Sequence, residues 1–143
     1  MSRHGYHDDC DNEWASICYR GAVASAIRGK RGQAFLRELR DALDAMPVKR
    51  LIAQQLENAA GEVCALGCAG KARGLSMEGI DVTDGEVLGK MFGIAEALAR
   101  EIEYENDEVW LYGVGGPTAE QRWQHVRTWV DRHIKATGER SER

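Results

Sequence analysis

Apolar residues recur three and four positions apart over most of this chain, and that spacing predicts helices. The strongest run is Phe35, Leu36, Leu39, Ala42, Leu43 and Met46, with Arg37, Glu38, Arg40, Asp41 and Asp44 on the outer face and Pro47 as the stop. Before it, Asp11 or Asn12 caps a helix that reaches Arg28 and turns Trp14, Ile17, Cys18, Ala22 and Ile27 inward. Thr83-Asp84-Gly85-Glu86 has capping-box spacing and opens a helix that buries Val87, Leu88, Met91, Ile94, Ala95, Leu98 and Ile102. Gly89 and Gly93 divide that helix near Phe92. Thr118 and Gln121 repeat the capping box before a last helix with Trp123, Val126, Val130 and Ile134 inward and Trp129 on its flank.

Residues 48–74 read two ways. Val48 to Leu56 suits a short strand or another helix, and Asn58-Ala59-Ala60-Gly61 is a turn. The small-residue run Val63 to Gly70 suits a short buried helix whose backbone packs closely on its neighbours. Val109 to Gly116 is a loop, pinned by Trp110, Leu111 and Tyr112. The fold class is therefore all-α or mainly α, a bundle of four to six helices, with one short β-hairpin near 48–64 as the variant. One domain spans 1–143, its residues 1–10 irregular and 137–143 frayed.

Composition narrows this little. No apolar run approaches the ~20 residues that span a bilayer, and the first residues lack the hydrophobic segment of a signal peptide. A cytoplasmic protein with no membrane partner is expected. The net charge of -4 argues against general nucleic-acid affinity, but the charges are unevenly placed. Arg28-Gly29-Lys30-Arg31-Gly32 is a basic, glycine-flanked junction ahead of a helix N-terminus, a setting that favours anions. Arg28, Lys30 and Arg31 are thus candidate phosphate or nucleic-acid contacts, although the spacing is not that of a P-loop.

Five of the eight residues from Glu101 to Glu108 are carboxylates: Glu101, Glu103, Glu105, Asp107 and Glu108. They lie near a helix C-terminus, where the macrodipole disfavours them. No second carboxylate motif completes a magnesium site of the helical pyrophosphohydrolase type. The stripe reads instead as an acidic partner-binding surface, with Trp110 as an apolar anchor.

His4, His7, Cys10 and Cys18 form one candidate zinc set, and Cys10, Cys18, Cys64 and Cys68 another. Neither has paired C-x2-C knuckles, and buried free thiols account for the cysteines equally well. Cys64 and Cys68 are flanked by alanine, leucine and glycine, which favours packing over nucleophilic catalysis. No cofactor and no enzymatic activity are expected.

Four runs, Ser2 to Tyr6, Arg28 to Leu36, Gly61 to Gly67 and Asn106 to Glu108, resemble a set of small proteins encoded by tailed bacteriophages and prophages. The resemblance covers most of the chain. It implies a viral accessory gene acting in the bacterial host's cytoplasm and assigns no site residue. Proteins of this kind often disable a host enzyme or defence complex, so it favours a binding protein, such as an anti-CRISPR-like inhibitor. Three other readings stay open. They are a nucleic-acid or phosphate binder, a zinc protein or small enzyme, and a homodimer joined through the two charged patches.

Overall fold

The six apolar positions of the strongest helical run set the frame. The computed structural model describes residues 13–107 and 116–135. Six helices form among them: α1 Glu13–Arg28, α2 Lys30–Ala45, α3 Ala65–Ala72, α4 Gly85–Phe92, α5 Glu96–Asp107 and α6 Ala119–His133. The mainly helical bundle expected from the sequence is what folds. The expected irregular start at 1–10, the Asp11 or Asn12 cap and the frayed 137–143 lie outside the described residues. Among the described residues, no helix is long and apolar enough to cross a membrane.

In α2, Phe35, Leu36, Leu39, Ala42 and Leu43 are buried, as their spacing predicts. Each such leucine contributes roughly 1.5–3 kcal/mol by leaving water. α6 lies antiparallel to α2. Gln33 at the start of α2 bonds His133 at the end of α6, and Arg127 grips Asp44 with two bonds. Near the other end, Trp123 Nε1 donates to the Leu43 carbonyl. Both halves of the Thr118–Gln121 capping box are present, as the sequence predicts.

Between α4 and α5 the chain turns at Gly93, whose φ of 70° lies in the left-handed region, so the expected division near Phe92 is real. The cap of α4 is Asp84, not Thr83. The Asp84 carboxylate accepts from Val87 N, while the Thr83 hydroxyl donates to Asp81. α3 is the small-residue helix the sequence promised. A Cβ on Gly67 would sit 1.8 Å from the Leu56 carbonyl oxygen, so only glycine lets α3 approach that backbone.

Further expectations fail, among them an inward Val87, which is exposed. No strand forms among the described residues, and a single antiparallel bridge between Glu57 and Val63 is what remains of a 48–64 hairpin. Its extension is blocked because Leu51 and Leu56 both turn into the core while Gln54 between them has a φ of 68°. The inward face of α1 also differs. Val23 and Ile27 are buried in its second half, whereas Trp14, Ile17, Cys18 and Ala22 are exposed. Trp129, expected on the flank of α6, is buried and lies against the His133 ring.

Candidate functional site

The described part of the acidic segment, residues 101–107, does not make an exposed stripe. α5 packs against α1, α3, α4 and α6, so few of its faces meet solvent. Glu101 is 7% and Glu103 3% exposed. Glu105 is largely covered, with its Oε1 2.8 Å from Nε2 of His125 on α6. Asn106 accepts from Ala65 N and donates to the Ile52 carbonyl, and Asp107 accepts from Gln54 N. The end of α5 thus serves the irregular segment 46–64, whose backbone groups have no sheet to pair with. Glu108 and Trp110 lie outside the described residues. The expected acidic docking stripe is corrected accordingly. Glu105, Asn106 and Asp107 meet partners on α6, the irregular segment and α3.

The basic junction keeps its exposure. Arg28, Lys30 and Arg31 are all at the surface. Gly29 alone separates α1 from α2, and a Cβ on Gly32 would lie 1.9 Å from the Ala26 carbonyl oxygen, which fixes the tight elbow. Gln33, 2% exposed, secures the elbow from inside. Its Nε2 donates to the carbonyls of Ile27 (2.7 Å) and His133 (2.9 Å), and its Oε1 accepts from Lys135 N (2.8 Å). Three chain ends therefore meet at one buried amide.

Beside the elbow, a cleft of about 400 Å³ is lined by Arg20, Val23, Ala24, Ile27, Arg28, Glu101 and His133. Arg28 of the basic patch and Glu101 of the acidic segment share it. His133 Nδ1 lies 2.8 Å from the Trp129 carbonyl and donates to it. Burial, reinforced by the Glu101 charge, raises the pKa of nearby Tyr19, whose hydroxyl donates to the Ala97 carbonyl.

His4, His7 and Cys10 lie outside the described residues, and Cys18 is exposed on α1. Among the described residues, no three His, Cys, Asp or Glu side chains come together to hold a metal, so Cys18, Cys64 and Cys68 do not form a site. Cys64 caps α3, its sulfur accepting from Gly67 N. Burial pushes its thiol up to about 12 and that of Cys68 to about 11, so both stay protonated and unreactive at neutral pH.

The site that sequence reasoning missed is a groove of about 910 Å³ between the end of α2, the irregular segment, α3 and the start of α6. Its walls include Ala42, Met46, Val48, Ile52, Val63 and Ala72. Arg50, Lys71, Arg122 and Glu62 line it as well, with Arg50 paired to Glu120 (3.2 Å) and Lys71 to Glu57 (3.8 Å). Backbone bonds hold the walls in place: Leu51 N to Ala119 O, Ile52 N to Val63 O and Cys64 N to Leu56 O. Arg122 Nη1 donates to the Leu51 carbonyl, leaving its buried Nε without a partner. At the rim, Val48 is 61% exposed. Alanines at 42, 45 and 72 leave space that larger side chains would fill, and this was the signal in the sequence. A search of family models, curated proteins and solved structures found no match to this chain.

Proposed function

We propose that this protein binds a partner protein, and that the groove takes an apolar segment of that partner carrying carboxylates. The supporting observation is a preformed groove with apolar walls and, at its edge, the surface ion pair of Arg50 with Glu120. Its volume falls in the ~300–1,000 Å³ range of specific binding pockets. The apolar walls supply affinity, and Arg50, whose exposed pair with Glu120 can be exchanged for a partner's carboxylate, selects for acidic flanks. Because Leu51, Ile52 and Cys64 are already tied down, little ordering is needed on binding. The phage resemblance supports a host protein or defence complex as that partner, with this chain acting as a modulator in the host cytoplasm.

The test is selection from a random peptide library. Enriched peptides combining leucine-like and acidic residues, with binding weakened at least tenfold by Ala45→Trp (which fills the groove) and by Arg50→Glu, support the proposal. Enriched peptides with no acidic bias, or equal binding to both variants, overturn it.

A further inference from the structure

We infer that the outer face of α1, with the elbow it leads into, is a track for single-stranded nucleic acid. The first observation is charge segregation. The 24 residues from Trp14 to Arg37 hold five cations (Arg20, Arg28, Lys30, Arg31, Arg37) and no carboxylate. With the whole chain at -4, the other residues carry -4 - 5 = -9. Arg20, Arg28, Lys30 and Arg31 stay exposed, and the end of α6 adds a further cation, because Lys135 Nζ reaches the Arg28 carbonyl.

The second observation is an aromatic platform on the same helix. Trp14 is 75% exposed. Trp14, Ile17, Gly21, Ala24 and Arg28 share one stripe at i, i+3, i+7, i+10 and i+14, and all five are exposed. Gly21 has open space where a side chain would stand. An unobstructed strip thus runs about 21 Å from indole to guanidinium, at about 1.5 Å per residue. Strand-binding surfaces combine these two elements: an aromatic face on which a base stacks, and cations that follow the phosphates. The cleft at the elbow places Arg20 and Arg28 around an apolar floor of Val23, Ala24 and Ile27. Glu101 also lines it, so its cationic excess is one, and the phosphate contacts fall mainly to Arg28, Lys30 and Arg31.

This face lies where α2 begins and α6 ends, whereas the groove lies where α2 ends and α6 begins. Occupancy of one leaves the other open, and the two proposals stand or fall separately.

The experiment is fluorescence anisotropy with a labelled oligothymidine of about 20 nucleotides, a duplex of similar length, and anionic lipid vesicles, from about 50 to about 200 mM salt. Three phosphate contacts predict a slope of log affinity against log salt near -2 for the single strand, at about -0.7 per contact. Lys30→Glu with Arg31→Glu should lower affinity more than tenfold and remove about 1.4 of that slope. Acidic residues suit the first turn of α2, so this variant keeps its fold. Trp14→Ala should weaken single-strand binding by roughly 5- to 100-fold with the slope unchanged, as loss of one stacked base predicts. Flat anisotropy at low salt overturns the inference. So does tighter binding to duplex or vesicles than to the single strand, or a W14A effect seen only as loss of a dimer on sedimentation.

Discussion

Replacing Gln33 should unsettle three helices at once. Its amide makes three neutral hydrogen bonds between 2.7 and 2.9 Å, joining the end of α1, the start of α2 and the segment after α6. Each such bond contributes about 1 kcal/mol net, and a buried carbonyl left unmet costs about 1–3 kcal/mol more. Gln33→Met keeps the volume and removes only the polar atoms, which gives an expected loss of about 4–6 kcal/mol. At about 2.1 cal/mol/K per residue, 143 residues give an unfolding entropy near 0.3 kcal/mol/K. The melting temperature should therefore fall by about 13–20 °C. Calorimetry and urea melts followed by far-UV circular dichroism give the global loss, and hydrogen exchange at Ile134 and Lys135 gives the local one. A Q33M protein within about 0.5 kcal/mol of wild type would refute the reasoning. Faster exchange at Lys135 with an unchanged melting temperature would refute it too, because it would make the amide a local clasp only.

Two glycines should respond with opposite sign. Gly67→Ala drives a Cβ into the Leu56 backbone and should cost about 3 kcal/mol in a urea melt, whereas Gly21→Ala meets open space and should gain about 0.5–1 kcal/mol from helix propensity. Iodoacetamide followed by peptide mass spectrometry should modify exposed Cys18 quickly and buried Cys64 and Cys68 only as fast as the chain unfolds. Both buried thiols keep their protons above the ordinary value of 9.0, so their contribution to stability is intact below pH 9.0 and is lost as pH rises toward about 11 and 12. Urea midpoints should therefore fall with alkali, and less steeply in Cys64→Ala. Arg127 holds the Asp44 carboxyl below the usual range, so that pair contributes above the ordinary aspartate value and is lost as pH falls through the lowered one. Asp44 is half exposed, so Asp44→Asn should cost under about 1 kcal/mol at neutral pH and nothing in strong acid.

Periodicity tells which residues share a helix face, and here it located α2, the α4–α5 break and the α6 cap correctly. It does not tell which way a face points when its residues are neither plainly apolar nor plainly polar. α1 alternates small and apolar residues all round, so the same spacing that suggested an inward Trp14 fits the outward one observed. On α5 the charge of Glu101 and Glu103 argued for solvent, yet both are buried, because α5 is packed by four other helices. The need for acceptors came from the irregular segment 46–64 and the first residue of α3, where the Gln54 and Ala65 amides reach Asp107 and Asn106, and no local pattern carries a demand set some 40 to 50 residues away. The groove was hidden for the same reason, since its walls come from four separate stretches of chain. Gln33 was different. It sits three residues before Leu36 on the apolar face of the clearest helix, directly after the glycines of a tight elbow. A polar residue at an inward position next to converging chain ends must find partners there, because an unpaired buried amide would cost more than the helix gains from its neighbours.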